Sequence, residues 1–119
     1  MGDGMRTEHE RRPAPDDLKL AREFARQLEA RLSRADFTVK LFGSRATGEA
    51  DAESDLDLFV ALDWDDPQER VKGIALDIAC DFTLAHGVLV AVFVADRPFL
   101  EDHSGFSFLE TVEAEGVRV

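Results

Sequence analysis

Two closely spaced carboxylates are the first feature of this sequence that points to chemistry. Asp55 and Asp57 lie two positions apart in a run that alternates apolar and polar residues, so on a strand both side chains project from one face. Two such carboxylates repel each other unless a cation lies between them. Magnesium is the expected cation, because it prefers oxygen ligands and is held by one or two carboxylates together with substrate phosphates.

A glycine–serine pair upstream of these acids predicts an anion site. Gly43 directly follows a predicted strand and can take backbone angles that other residues cannot. Ser44 to Thr47 can then form one helical turn, whose free N–H groups and Ser44 hydroxyl suit an anion such as phosphate. The polar loop over residues 49–54 would bring this phosphate site next to the two carboxylates.

The segments on either side of the glycine–serine pair predict a helix and two strands that position these residues. An amphipathic helix begins at Asp16 or Asp17, either of which can cap it, and ends near Arg34. Alternation predicts short strands over residues 37–41 and 55–62. The two strands would carry the phosphate site and the carboxylates at their ends.

The second half of the chain predicts the rest of the sheet. Residues 68–85 have helical spacing of apolar side chains, and residues 88–95 are almost wholly apolar, as in a central strand buried on both faces. Residues 98–105 are expected to be irregular, residues 106–114 a short helix and residues 117–119 an edge strand. The order predicts an α/β or α+β fold, a small mixed sheet with helices packed on one face.

Length and cysteine content limit the organisation of the chain. Its 119 residues suit one domain over residues 16–119, preceded by a flexible, polar N-terminal tail over residues 1–15. Cys80 is the single cysteine, and its helical apolar surroundings predict a buried small side chain rather than a catalytic thiol. Without a disulfide, a signal-peptide pattern or a membrane-spanning apolar run, we expect a cytoplasmic protein with no membrane partner.

The charge is strongly negative and unevenly distributed. The net charge is −11, although residues 1–45 hold 10 of the 14 Lys and Arg residues. An acidic surface repels phosphate backbones, so we expect no broad nucleic-acid binding by this chain alone. The simplest interpretation of the acidic residues is that they keep the chain in solution. The alternative is that they bind a basic protein partner or metal ions.

The spaced motif resembles that of the nucleotidyltransferase superfamily that includes DNA polymerase beta. The residues that carry it are Gly43, Ser44, Arg45 and Gly48, then Asp55-Leu56-Asp57-Leu58 after a six-residue loop. The minimal nucleotidyltransferases, small prokaryotic members of the superfamily, are the most similar. The predicted element order agrees from residue 16 to residue 119, so the resemblance implies a nucleotidyltransferase-type fold.

The resemblance also implies roles for individual residues. Gly43 and Ser44 would hold the β- and γ-phosphates of a nucleoside triphosphate such as ATP. Arg45 would contact the phosphate or the acceptor; the alternative is that its side chain points outward from the surface and has no role in binding. Asp55 and Asp57 would be the catalytic metal ligands, binding Mg²⁺ or another divalent ion. The implied reaction transfers a nucleoside monophosphate, AMP if the donor is ATP, to an acceptor hydroxyl.

One position departs from the pattern of active members. They usually carry a third acid on the later strand, as a metal ligand or general base, and Ala91 lies near that place here. Asp96 follows the strand and is too far along it. The departure keeps a second hypothesis open, an antitoxin-type interaction module that binds a helical HEPN-type partner. We also expect no second domain to shape an acceptor pocket, so that a homo-oligomer or a helical partner would supply the missing wall of that pocket.

Histidines and phenylalanines outside the motif are interpreted as structural. His103 lies beside Glu101 and Asp102, but the spacing matches no metal pattern. Phe99, Phe106 and Phe108 are interpreted as packing residues, with a base-stacking platform as the alternative. We therefore predict that the chemistry lies in the Gly-Ser and Asp-x-Asp elements.

Overall fold

A computed structural model of the chain describes residues 13–34, 36–48, 54–63 and 68–119. The predicted tail therefore lies almost wholly outside the described residues, as do residues 49–53 of the predicted loop. The elements, in chain order, are α1 (Pro15–Leu32), β1 (Phe37–Phe42), α2 (Ser44–Thr47), β2 (Leu56–Leu62), α3 (Gln68–His86), β3 (Val90–Ala95), α4 (Arg97–Asp102), α5 (Ser107–Glu115) and β4 (Val117–Arg118).

Helix α1 begins at Pro15, before either predicted cap. Ala14 is its N-cap and Pro15 its first residue, and no side chain caps the helix. Proline suits this position because its fixed φ is helical and its missing N–H would have no partner there. The prediction of an aspartate cap was therefore wrong, and Asp17 is instead buried in the first turn.

The four strands form one mixed sheet in the order β3-β2-β1-β4. β1 pairs antiparallel with β2, so that Phe42 lies opposite Asp57, and β2 pairs parallel with β3, so that Asp57 lies beside Ala91. β4 pairs antiparallel with the outer side of β1. The prediction of a central strand over residues 88–95 was wrong, because β3 lies at one edge and its burial alternates at its start.

One face of the sheet, the helix-covered face, carries the main core. α1 and α3 pack over it, and its buried side chains are almost all aliphatic. The strands contribute Val39, Leu41, Leu56, Leu58, Val60, Leu62, Val90 and Val94, all nearly inaccessible to solvent. The alternation of β1 and β2 places these residues on one face and their sequence neighbours, polar and aromatic alike, on the other.

The opposite face, the site face, has a thinner cover made by the C-terminal helices. Phe59, Ala95 and Val112 form its small buried cluster, with Leu100 and Leu109 packed against it. Helix α4 occupies most of the segment predicted to be irregular, and the Asp96 carboxylate caps it by accepting from the Phe99 N–H at 3.0 Å. Helices therefore flank both faces, not one face as predicted.

Two further observations bear on the predictions from composition. Cys80 is exposed on α3, so the prediction of a buried thiol was wrong; the apolar spacing around it belongs to the neighbouring face of the helix, with Ala75, Ile78 and Phe82. Among the described residues, no helix combines the length and apolar character needed to cross a bilayer.

Candidate functional site

The glycine–serine turn and the two aspartates meet at one end of the site face. Gly43 follows β1 with φ 77° and ψ −162°, a conformation that favours glycine. A Cβ atom built on Gly43 would lie 2.3 Å from Oδ2 of Asp57, closer than any real contact. The backbone at Gly43 therefore packs directly against the Asp57 carboxylate, which only a residue without a side chain permits.

The two carboxylates differ in their surroundings. Asp55 is exposed just before β2, whereas Asp57 is half-buried within it, and strand alternation places both on the site face. Burial raises the pKa of Asp57 above its usual range, the Asp55 carboxylate raises this pKa further, and the Arg45 guanidinium lowers it. The ionised form of Asp57 is therefore disfavoured, and a cation beside it would favour that form.

Ser44 opens the short helical turn α2 beside these carboxylates. The turn is closed by hydrogen bonds from the Ala46 and Thr47 N–H groups to the Gly43 carbonyl, at 3.0 and 3.3 Å. The first N–H groups of such a turn have no acceptor within it. Ser44 therefore sits at the positive end of the turn, within one residue of the contact between Gly43 and Asp57.

Arg45 joins three parts of the chain. Its Nη1 donates to Oδ1 of Asp17 at 2.8 Å, and its Nε donates to the Ser54 carbonyl at 2.9 Å. Both side chains of the Arg45–Asp17 pair are only 11% exposed. Arg45 thereby holds α2 against the first turn of α1 and against the residue that precedes Asp55.

Asp17 is the residue of this region that sequence reasoning missed. Its position near a helix start was interpreted as a cap, and a pairing across 28 residues leaves no local pattern. The one signal in the sequence was that Asp17 lies inside the first turn of the helix, where its side chain is not needed as a cap. The structure thus shows that Arg45 links Asp17 to the Ser54 carbonyl, while its contact with a nucleotide stays a prediction.

Ala91 occupies the place beside Asp57 on the neighbouring strand. The two residues are register partners in the parallel pair of β2 and β3, and adjacent partners share a face about 4.8 Å apart. Ala91 is exposed, so a larger side chain has room there. Asp96 is committed to the cap of α4. The side chain beside Asp57 on β3 is therefore a methyl group.

The donor set fits a divalent ion only together with a substrate. Asp55 and Asp57 offer carboxylate oxygens, the ligand type that hard divalent cations prefer. No group of three or more His, Cys, Asp or Glu side chains within the described ranges is arranged to hold a metal. Two protein carboxylates leave most of a six-ligand shell to water and phosphate oxygens, which is how magnesium is commonly held with nucleotides.

His103 lies apart from this site. Its ring stacks on Phe99, with the centroids 4.1 Å apart, and its Nδ1 is 2.9 Å from the Phe99 carbonyl oxygen. These contacts give the histidine a packing role at the end of α4, as expected from the sequence.

Comparisons with known proteins agree with the geometry. Residues 20–107 match the model of the family described as nucleotidyltransferase domain. The chain is also similar to a Methanocaldococcus jannaschii protein named "Putative protein adenylyltransferase", with 28% identity over 102 residues, which cover 86% of this chain and 97% of that protein.

Proposed function

Because this chain belongs to the nucleotidyltransferase domain family, its class of activity is nucleotidyl transfer, and we propose that it transfers AMP from ATP to an acceptor hydroxyl with the help of magnesium. The observation that carries the proposal is the contact between Gly43 and the Asp57 carboxylate. The contact supports the proposal because the turn proposed to bind phosphate lies directly against the carboxylate proposed to bind the metal. The adenylyl group is chosen because the archaeal relative carries that name.

In the proposed site, each residue has a separate task. Asp55 and Asp57 hold the divalent ion, which supplies positive charge against the triphosphate. Ser44 and the N–H groups that follow Gly43 bind phosphate oxygens. Arg45 belongs to the nucleotide site mainly as the residue that holds this turn in place, through Asp17 and the Ser54 carbonyl.

The proposed reaction is an in-line displacement at the α-phosphorus. The acceptor oxygen bonds to that phosphorus, the bond from it to the oxygen bridging to the β-phosphate breaks, and pyrophosphate leaves. The proton of the acceptor hydroxyl passes to water, because Ala91 stands where a carboxylate could have taken it. We therefore expect slow turnover, since general-base help contributes about 10²- to 10⁴-fold where it is present.

We propose that another protein chain supplies the wall that orients the acceptor. A helical HEPN-type protein or a second copy of this chain remains the predicted source of that wall, and a cytoplasmic location remains the prediction from cysteine content. Neither comparison favours the alternative of an inactive interaction module of toxin–antitoxin type.

Calorimetric titration of ATP into the full chain tests the nucleotide site, with and without magnesium. We expect magnesium-dependent binding that Asp55→Ala/Asp57→Ala abolishes. Asp81→Ala is the matched control, because this exposed aspartate lies on α3. Incubation with α-labelled ATP and a cell extract then tests transfer. Binding that survives loss of both site aspartates would refute the assigned metal site.

A further inference from the structure

The site face carries a cluster of aromatic rings directly next to the carboxylates. Phe108 contacts Phe42, Phe59 and Phe93, with centroids 5.6, 6.1 and 5.0 Å away. We propose that Phe93 and Phe108, the ring platform, bind the base of a purine nucleoside triphosphate whose phosphates lie at Gly43 and Asp57. Because the two rings are inclined by 53°, the base would stack on one ring and meet the other with its edge. This inference rests on the proposed function, because it assigns the base end of the same nucleotide.

The register of the sheet places the ring platform beside the carboxylates. Phe42, Asp57 and Ala91 form one row across three strands, and Lys40, Phe59 and Phe93 form the next row on the same face. Successive rows on one face are about 7 Å apart, twice the rise per residue. A triphosphate held at Asp57 would therefore bring its nucleoside within reach of the ring of Phe93 or Phe108.

The two rings of the platform are exposed to solvent, and both contact the buried ring of Phe59. Phe59 is 5% exposed, and its ring lies parallel to that of Phe93, at 9° and 5.5 Å. Phe93 and Phe108 are 36% and 38% exposed. A supported ring keeps its orientation, so less rotamer freedom is lost when a base binds.

Base stacking on this platform would offset part of the electrostatic cost of binding a triphosphate. The chain carries a net charge of −11, which opposes the approach of a triphosphate. Stacking on an aromatic ring depends on the flat base and not on its charge. The ring platform would thus add affinity that the phosphate end of the nucleotide lacks in so acidic a protein.

The platform differs from the other exposed apolar residues in its position. Phe93 and Phe108 are exposed rings that contact the buried ring of Phe59. The side chains that are more exposed, Leu76, Leu84, Leu89 and Phe106, lie outside the rows that contain Asp57 and Phe59. The ring of Phe106 contacts His103, which follows helix α4. The ring platform alone among these places exposed rings next to the proposed phosphate and metal site.

The test compares ATP with inorganic tripolyphosphate, each titrated into the full chain with magnesium. We expect the native protein to bind ATP more tightly, and Phe93→Leu/Phe108→Leu to weaken ATP binding roughly 5- to 100-fold while leaving tripolyphosphate binding unchanged. Phe106→Leu is the matched control, since it removes an exposed ring outside the platform. Circular dichroism establishes that each variant is folded.

Two results separate this inference from the proposed function. Equal affinity of the native chain for ATP and tripolyphosphate would overturn the ring platform and leave the phosphate site standing. If the chain binds neither, the proposed function fails, and nuclear magnetic resonance with adenosine alone decides the platform. Transfer of saturation between the base and Phe93 or Phe108 would support it, and no transfer would overturn it.

Discussion

The two faces of the sheet are built from the same strands but in opposite ways. The helix-covered face is aliphatic, nearly inaccessible to solvent, and closed by two long helices. The site face has a small buried cluster under two short helices, with Asp57 and exposed rings beside it. One face thus provides the buried area that stabilises the fold, which leaves the other free to hold charge and open surface at a substrate site.

A core truncation should produce the largest effect and separate the two faces by stability. Leu58 is fully buried on the helix-covered face, so Leu58→Ala should lower the free energy of unfolding by about 2–5 kcal/mol. Thr38→Ala on the site face should cost about 1 kcal/mol or less, because Thr38 is only half-buried. Urea denaturation measures both. Equal losses of unfolding free energy in the two variants would contradict the conclusion that the helix-covered face provides most of the stability.

Breaking the Arg45–Asp17 pair should weaken the link between the two faces. Asp17→Ala leaves the Arg45 guanidinium nearly buried with one partner fewer, and we expect a loss of about 3 kcal/mol in unfolding free energy. The double variant with Arg45→Met should lose less than the sum of the single variants. Denaturation of all four proteins measures the coupling, and additive losses would mean that the pair contributes no interaction energy.

A methyl group on Gly43 should damage the site more than the fold. Gly43→Ala places a Cβ against Oδ2 of Asp57 and strains a backbone with φ 77°, so we expect about a 100-fold loss of AMP transfer. Gly73→Ala is the control, because nothing lies within 4 Å of its Cβ position on α3. That change should stabilise the chain by about 0.5–1 kcal/mol. Full activity of the Gly43 variant would argue against a tight site.

Supplying the third acid should raise activity. Ala91→Asp places a carboxylate beside Asp57 on the neighbouring strand, and we expect AMP transfer to rise about 10-fold or more. Ala91→Asn has the same size without the charge and should give no gain. Initial rates with labelled ATP measure the change. An unchanged rate in the aspartate variant would show that proton removal does not limit the reaction.

Removing the Asp57 charge should have the smallest effect, a gain in stability with a defined pH dependence. The raised pKa of Asp57 means that folding favours its protonated form. Native stability should fall as the pH rises from the usual aspartate range through this raised pKa, and then level off. Asp57→Asn should lack that decrease and melt at a higher temperature at neutral pH, while Asp81→Asn, which leaves Asp57 in place, should retain the decrease. Thermal melts across the acidic range measure the difference.

Local patterns predicted most of the elements because burial follows periodicity. Strand alternation and helical spacing found β1, β2, α1 and α3 to within about two residues at each end. The same reasoning misplaced β3, because an apolar run indicates burial but cannot tell a central strand from an edge strand that a helix covers on one face. It also missed α4, six residues whose cap is the aspartate placed just beyond the strand.

By itself, the sequence determined that Asp55 and Asp57 share a face and that Gly43 can take a conformation closed to other residues, because both follow from the geometry of a few bonds. Only the tertiary structure decided that Gly43 lies against Asp57, that Ala91 lies beside it and that Asp17 pairs with Arg45. These contacts join distant segments, and their register is set by packing both faces of one sheet at once.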